Sequence, residues 1–217
     1  MDSSIRRTYL DSLLSKYQCE LSGTVLDLGG KKFLKKGNFK PQESDTEKWL
    51  YLNNDLETSP DIVCNLPKIP IKTGSVDSVI LIETLEYIFD LDALICEIDR
   101  VLNDQGKFLV SFPFLHSLHG DYKDDYYRIT ESCFKEYTKH KFKILKINRM
   151  GGAIAVIFDL LRSYLNYQGE KTFLKKIIYR VLMGLKPLCI YVDKFMFKNN
   201  FYINTGYVFL CEKIKHE

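Results

Sequence analysis

The sequence predicts an α/β fold, built as a doubly wound, mostly parallel and Rossmann-like sheet of seven strands. Three observations predict this class: short apolar runs bounded by turn residues, a helical pattern between two of these runs, and a tight glycine turn that returns the chain to the sheet. A strand, a helix and a second strand in this order form a parallel crossover unit. The five runs lie at residues 24–28, 49–52, 62–64, 76–82 and 107–112.

Helical patterns occur before and within this set of strands. Apolar residues from Ile5 to Tyr17 recur at helical spacing and predict an amphipathic helix within residues 1–21. Between the fourth and fifth strands, residues 85–102 show a second apolar face that includes Phe89. The sequence NDQG at 103–106 is expected to end this second helix.

The second half of the chain predicts two closing strands, at 142–147 and 205–214, separated by two helical stretches. These stretches cover 153–165 and 173–197, with interruptions expected at 166–169 and at Pro187. The interval therefore reads as a helical cap inserted before the last strand. The predicted organisation is a single domain, 1–217, with an N-terminal helix (1–21), a core (22–150), a helical insertion (151–203) and a closing strand (204–217).

Composition narrows the class of protein. A chain of 217 residues with 46% hydrophobic content can bury one sizeable core. Its 31 basic and 28 acidic residues give a net charge of +3, which is too balanced to predict nucleic-acid binding. The six cysteines are scattered, mostly beside apolar neighbours, and favour buried thiols over disulfides or a zinc site. Because the N-terminus also lacks a secretory pattern, we expect a cytoplasmic protein.

The loop after the first strand is the first candidate for ligand binding. Parallel sheets bind ligands beyond the carboxyl ends of their strands, and Asp27, Gly29 and Gly30 fall at that edge. The alternative is a turn that merely requires glycine. A G-x-G-x-x-G pattern is absent because Lys31 follows the two glycines, which argues against a nicotinamide cofactor.

Polar residues follow the next two strands at the same edge. Asp55 follows the second strand, where a carboxylate can accept hydrogen bonds from a ribose diol. Asn65 follows the third strand, where a side-chain amide can contact the edge of an adenine.

Five blocks resemble the class I S-adenosylmethionine-dependent methyltransferases, and more narrowly the small methyltransferases associated with bacterial surface-polysaccharide biosynthesis. The blocks are VLDLGG at 25–30, NNDLETSPDIVCNLPKIP at 53–70, SVDSVILIETLEYI at 75–88, EIDRVLNDQGKFLVSFPF at 97–114 and HGDYKDDYYRIT at 119–130. The last strand, NTGYVFLCEKI at 204–214, also resembles that group.

The resemblance implies S-adenosyl-L-methionine as the cofactor and a role for each matching residue. Asp27, Gly29 and Gly30 match the cofactor loop, Asp55 the acid that holds the ribose, and Asn65 the polar residue beside the adenine. By the same resemblance, Glu83 and Leu85 flank the methionine portion and the methyl group.

Two positions depart from the family pattern. Lys31 stands where many members carry a second glycine, and Tyr87 replaces a frequent histidine. The Lys31 stem can point away or reach the cofactor carboxylate. The alternative is a pseudoenzyme that has lost the cofactor.

The segment after the fifth strand carries the candidate acid–base residues. Methyl transfer to a hydroxyl needs a group that removes a proton as the oxygen attacks. His119 is the first candidate for this base, with Asp121 as its orienter or as a substrate ligand, and His116 is the second candidate. The histidine spacing lacks the signature of a metal site, so no metal is predicted.

Three residues near the end of this segment are candidates for binding the substrate: Asp125, Tyr126 and Arg128. The alternative for Arg128 and Asp125 is a structural ion pair that holds the loop. Five lysines beside the cofactor loop also either form a solvated face or attract a phosphate-bearing acceptor. They are Lys31, Lys32, Lys35, Lys36 and Lys40.

These features together predict a methyltransferase that modifies an oxygen on a sugar of a surface glycan or its precursor. The acceptor can be small or lipid-linked, and residues 153–197 can either cap the sheet or rest on the inner face of the membrane. Two alternatives remain open: a non-catalytic binding module at a membrane or glycan-assembly complex, and a methyltransferase for a small lipid or quinone. The sequence leaves the oligomeric state undetermined.

Overall fold

A computed structural model describes residues 3–33, 37–41, 46–120, 123–166, 172–196 and 202–215. Seven strands form one mixed sheet in the order β3-β2-β1-β4-β5-β7-β6, with β7 antiparallel to both of its neighbours and the other pairs parallel. This confirms the predicted fold class. The strands are β1 Thr24–Leu28, β2 Lys48–Asn53, β3 Ile62–Val63, β4 Val76–Ile82, β5 Leu102–Pro113, β6 Phe142–Met150 and β7 Gly206–Lys213.

Five α-helices accompany the sheet among the described residues: α1 Ile5–Tyr17, α2 Leu91–Val101, α3 Glu131–Thr138, α4 Ala153–Asn166 and α5 Phe173–Met196. The central strands are buried on both faces, which is why they read as continuous apolar runs. In β1, Val25 belongs to the core cluster that contains α1, while Leu26 belongs to the cluster that contains α2 and α3.

The helix predicted over 85–102 is shorter than expected. Residues Leu85–Tyr87 form a single 3₁₀ turn, and α2 begins after Asp90, whose carboxylate accepts a hydrogen bond from the Ala93 amide at 2.9 Å. This cap fixes the start of the helix. Phe89, predicted on the apolar face, is therefore in the loop before the helix and is 72% exposed. Leu102 is the first residue of β5.

One helix was not predicted and one expected interruption was wrong. Helix α3 begins after Thr130, which caps it by accepting a hydrogen bond from the Cys133 amide at 3.2 Å. The interruption expected at Pro187 is absent, because α5 continues through this residue. The helix continues because residues on both sides of the proline pack in one cluster with α1 and α4: Leu182, Met183, Cys189 and Ile190.

Two buried carboxylates hold α4 and α5 in place: Asp159 joins α4 to α1, and Asp193 joins α5 to the start of α4. Asp159 of α4 accepts hydrogen bonds from the Ile5 and Arg6 amides, at 2.7 and 2.9 Å. Asp193 of α5 accepts from the amides of Gly152 and Ala155, at 2.9 and 3.1 Å. Each carboxylate thus satisfies the free N–H groups at the start of another helix. Burial raises the pKa of Asp159, and the two amides oppose the shift.

The cysteines differ from the expectation of buried thiols. All six are free, but only Cys211 is buried, while Cys19 and Cys96 are exposed. Burial raises the pKa of the Cys211 thiol to about 12. Among the helices that the structure describes, none has a stretch apolar and long enough to cross a lipid bilayer.

Candidate active site

The loop after β1 is closely packed, and two of its residues have no room for a side chain. The Gly29 amide donates to the Leu52 carbonyl at 2.8 Å, and its φ angle is +75°. A Cβ on Gly29 would lie 2.5 Å from Oγ1 of Thr84, and one on Gly30 would lie 2.1 Å from Cγ of the buried Asp27. Steric fit therefore requires both glycines and leaves the loop backbone bare.

Asn53, which the sequence analysis did not single out, supports this loop. Its side-chain amide donates to the carbonyls of Gly29 and Gly30, at 3.0 and 2.9 Å. Its side-chain oxygen accepts from the Asp55 amide at 3.0 Å. One buried residue therefore joins the loops after β1 and β2. The sequence did contain a signal, an asparagine at the end of an apolar strand. The amide of a buried asparagine needs hydrogen-bond partners, and the neighbouring loops supply them.

Asp55 lies beside this loop, and its carboxylate is accessible. One oxygen accepts from the Glu57 amide at 3.0 Å, and the other lies 3.8 Å from Nζ of Lys31. The side chains of Lys31 and Asp55 are 42% and 44% exposed, so this is a surface ion pair of low stability. The residue that departs from the family pattern thus contacts the predicted ribose acid. We call residues 27–31 together with Asn53 and Asp55 the cofactor loop.

The other predicted cofactor residues are less closely grouped. Asn65 follows β3 and is exposed. Leu85 is buried and packs in the core cluster, so the structure does not present its side chain to the crevice. Glu83 lies at the end of β4, with a left-handed φ of 52° that is uncommon for a residue with a side chain.

Glu83 forms a buried ion pair with Arg6 of α1, a residue that the sequence analysis did not identify. Glu83 also accepts a hydrogen bond from Ser111 of β5 at 2.9 Å. Burial lowers the pKa of Arg6 to about 10, while the charges of Glu86 and Asp159 oppose this shift. The helical pattern of α1 gave no signal for Arg6, because its partners come from distant parts of the chain.

His119 lies between two buried carboxylates. Its Nε2 atom is 3.3 Å from Oε1 of Glu86, and its Nδ1 atom is 3.6 Å from Oδ2 of Asp125. Both acidic side chains are fully buried, whereas the His119 side chain is 27% exposed. Neither Glu86 oxygen accepts a hydrogen bond from any residue that the structure describes. Glu86 was also missed, because a glutamate in a turn has no distinctive sequence pattern.

Tyr87, at the position where the family resemblance implies a histidine, contacts His119. Its hydroxyl donates to the His119 carbonyl at 3.2 Å, and its ring packs edge-on against the His119 ring with centroids 5.7 Å apart. Burial raises the pKa of Tyr87. The tyrosine therefore supports the segment that carries the predicted base.

His116 is held in a different way. Its Nδ1 atom lies 2.9 Å from the Ser117 carbonyl, which can only accept, so Nδ1 must donate and Nε2 carries the lone pair. Burial, assisted by the charge of Arg6, lowers the pKa of His116 to about 3. His116 is therefore neutral at physiological pH.

Arg128 and Asp125 form an internal brace. Arg128 donates to both Asp125 oxygens and to the carbonyls of Ser117 and Tyr127, at 3.1 and 2.7 Å. Burial alone would raise the pKa of Asp125, but hydrogen bonds from Arg128 and the His119 amide outweigh it and keep the pKa low. These contacts favour the structural ion pair over direct substrate binding.

The side chain of Tyr126, another predicted substrate residue, takes no part in this brace. Tyr126 is 46% exposed and donates to Asp124 at 3.1 Å. Asp121, like Lys35 and Lys36, lies outside the described residues. Lys32 forms an ion pair with Asp61.

A charged corner therefore lies beside the cofactor loop, with two arginines and three acids around a histidine. Glu83, Glu86 and His119 offer ligand atoms within 4.8 Å of one another, a distance that suits a metal ion. Arg6 already supplies a cation to Glu83 in this position. The corner consists of Arg6, Glu83, Glu86, His119, Asp125 and Arg128.

Comparison with known proteins shows which domain and which solved structures this chain resembles. Residues 18–110 match the family model of a methyltransferase domain, and no curated protein matches the chain in sequence. Phosphoethanolamine N-methyltransferase 2 of Haemonchus contortus, solved with S-adenosyl-L-methionine, has a TM-score of 0.56 and 15% identity. The match covers 95% of this chain but 52% of that enzyme, so the chain spans about half of its length.

Two further solved structures share the fold. Geranyl diphosphate C-methyltransferase of Streptomyces coelicolor A3(2) has a TM-score of 0.61 and 10% identity over 95% of this chain and 80% of its own. The [4+2]-cyclase SpnF has a TM-score of 0.55 and 14% identity over 96% of this chain and 80% of its own. Since a cyclase has the same fold, the fold alone does not identify the reaction, which depends on the residues of the site. The domain match covers less than half of the chain, and at these identities the solved structures show a shared fold.

Proposed function

We propose that this protein transfers a methyl group from S-adenosyl-L-methionine to a hydroxyl of a sugar, in a surface glycan or its precursor. The observation that carries the proposal is the placement of His119 between two buried carboxylates, beside a bare glycine loop at the same edge of the sheet. This combination supplies both a cofactor site and a proton acceptor.

The cofactor loop fits a nucleoside. Gly29 and Gly30 carry no side chain, so a ligand can approach their backbone closely. The fold itself requires these glycines, because a Cβ at either position would clash with Thr84 or Asp27. The half-exposed Asp55 carboxylate can exchange its weak contact with Lys31 for two ribose hydroxyls. Lys31 is then free to meet the carboxylate of the methionine portion.

The charged corner fits proton transfer. When bound, S-adenosyl-L-methionine supplies an electrophilic methyl group on a positively charged sulfur. His119 takes the proton of the acceptor hydroxyl at Nε2, because its Nδ1 atom is buried. Glu86 beside Nε2 and Asp125 beside Nδ1 stabilise the imidazolium that forms. Two cationic and three anionic side chains surround this histidine.

His116 is suited to a different role. A ring nitrogen with a pKa near 3 is a weak base at neutral pH, so His116 is better suited to accept a hydrogen bond from the acceptor through Nε2. Arg128 and Asp125 hold the backbone of this segment, so they position both histidines.

The sugar acceptor rests on the family resemblance. A phosphate-bearing or lipid-linked precursor is consistent with the names of two relatives, which act on phosphoethanolamine and geranyl diphosphate. The lysines near the loop after β1 attract a phosphate-bearing acceptor less strongly than the sequence suggests, because Lys31 and Lys32 are each paired with an acid.

Incubation with methyl-labelled cofactor and a panel of glycan precursors tests the proposal. We expect label in a saccharide, as a methyl ether. Label only in a protein, nucleic acid, lipid or quinone would exclude the sugar acceptor while leaving methyl transfer intact.

A cofactor titration tests the enzyme class itself. Ligand at 100 times its dissociation constant adds about 2.7 kcal/mol to the apparent free energy of unfolding. The contact between Lys31 and Asp55 is the observation that favours the alternative, a non-catalytic module whose cofactor site is blocked. No thermal shift over a wide cofactor range would support that alternative.

A further inference from the structure

The two helices of the insertion expose apolar stripes that the sheet does not cover. On α4, Ile157, Leu160, Leu161 and Tyr164 are 44–65% exposed and follow the spacing of one helical face. On α5, the exposed apolar residues recur every three or four positions. They are Leu174, Ile177, Ile178, Val181, Leu185 and Leu188.

The opposite face of α5 is already used in packing. Leu182, Met183, Cys189 and Ile190 pack against the cluster of Ile5, Ala155 and Phe158. The helix is therefore apolar on its inner side and on its outer side. Contiguous apolar surface of this kind marks a place where a protein meets another surface.

On these two helices the acidic side chains are buried, and several basic side chains are exposed. Asp159 and Asp193 are the acidic residues of α4 and α5, and both are buried as caps of other helices. Lys176, Arg180 and Lys194 are exposed. The outward surface of the two helices is therefore apolar and basic.

We propose that this outward face of α4 and α5 binds the surface of an anionic lipid bilayer, with the helices lying in the interfacial plane. Basic residues beside an apolar stripe are the features of an interfacial helix, since the stripe enters the acyl boundary while the cations meet lipid phosphates. Exposed Tyr164 and Tyr191 suit the same depth, because a tyrosine ring is apolar and its hydroxyl is polar.

A second copy of the chain is a poorer occupant of this face. In a twofold contact the same surface meets itself, which would bring Lys176 and Arg180 of one copy close to their counterparts. Neither helix has an exposed acid to neutralise them, since Asp159 and Asp193 are buried. An anionic lipid surface supplies that neutralisation.

The binding face also connects to the candidate active site. Ser163 of α4 accepts a hydrogen bond from Ser117 at 2.9 Å, and Ser117 lies between the two histidines. Asp159 of α4 holds the amide of Arg6 in the charged corner. Membrane binding would therefore place the segment that carries His116 and His119 close to the lipid surface. Binding to the membrane does not itself require methyl transfer.

Vesicle flotation tests the proposal on the whole protein. We expect the protein to float with vesicles of phosphatidylcholine and phosphatidylglycerol, at least 10-fold more tightly than with phosphatidylcholine alone, and to be released by high salt. The charge variant Lys176→Gln/Arg180→Gln should bind anionic vesicles on the order of 10-fold less, because each basic residue contributes severalfold.

An apolar variant, Ile178→Ser/Val181→Ser/Leu185→Ser, should lower binding to both kinds of vesicle by about 10-fold or more. Its exposed positions should leave the melting temperature and the circular dichroism spectrum of the protein unchanged. The matched control is Val63→Ser, which removes an exposed apolar side chain from the edge strand β3 and should bind like the wild type.

Three results would overturn the proposal. The first is a wild-type protein that does not float with anionic vesicles at low salt. The second is an apolar variant that binds as tightly as the wild type. The third is a wild-type dimer, seen by sedimentation, that the apolar variant converts to a monomer without any vesicle binding in either form, which would assign the face to a second copy.

Discussion

The cofactor loop and the charged corner lie at one edge of the sheet, but they hold their charges in opposite ways. Asp55 and Lys31 are nearly half exposed, and their closest charged atoms are 3.8 Å apart. In the corner, Glu86 and Asp125 are fully buried, and their partners come from α1 and from the segment after β5. The loop can exchange partners with a ligand at low cost, whereas the corner cannot.

This difference separates two kinds of effect. An exposed pair contributes roughly 0–1 kcal/mol to the free energy of unfolding, but its carboxylate remains available to a ligand. A buried network is costly to break because each lost partner leaves a charge without compensation. Changes in the loop should therefore alter affinity, and changes in the corner should alter stability and turnover.

The largest expected effect is on stability, from Arg6→Met. The change leaves Glu83 without its buried cation and should lower the free energy of unfolding by about 3–5 kcal/mol. Urea unfolding at neutral pH measures it. Lys139→Met is the matched control, because it breaks an exposed ion pair with Glu136 and should cost less than about 0.5 kcal/mol. Equal losses in the two variants would show that the corner is not a coupled network.

His119→Gln should lower turnover by about 10²–10⁴-fold, because glutamine cannot take up the proton. Cofactor affinity, measured by calorimetry, should stay at the wild-type value. His116→Gln serves as the comparison and should lose much less turnover, since its amide still offers a hydrogen-bond acceptor. Full turnover in both variants would contradict the assignment of an acid–base residue to this segment.

His116 should also make stability depend on pH. Its pKa is about 3 in the folded protein and near 6.5 when unfolded, so the unfolded chain binds more protons between these values. The free energy of unfolding should therefore fall on acidification through this window, by about 3 kcal/mol at pH 4.5. Urea midpoints at pH 7.5 and 4.5 measure the slope. His116→Gln should flatten it, and an unchanged slope would show that burial does not hold the ring neutral.

The smallest effects are expected in the cofactor loop. Asp55→Asn should weaken cofactor binding by about 10-fold, because it removes a charged acceptor for the ribose hydroxyls. Lys31→Met should weaken cofactor binding by less than about threefold, since an exposed lysine contributes little to binding the cofactor carboxylate. Calorimetry measures both, and urea unfolding should show little change in either variant. A large gain in affinity for Lys31→Met would show that the lysine blocks the site.

Local patterns predicted some elements well and others poorly. The run at 24–28 coincides with β1, because a strand buried on both faces needs apolar residues at every position. The helix after β4 began six residues later than expected, since the cap at Asp90 outweighs the apolar spacing before it. Pro187 failed to end α5 because tertiary packing on both sides of it compensates for the lost hydrogen bond.

The sequence by itself determined the sheet, its mostly parallel strands and the glycine loop after β1, because these depend on short runs of neighbouring residues. Only the tertiary structure decided that Arg6 meets Glu83, that Glu86 faces His119 and that Asp159 caps α1. Each of these contacts joins residues from separate elements, and their meeting depends on how the chain crosses the sheet. Local propensity carries no information about such a meeting, so the charges of the corner become visible only once the helices are packed.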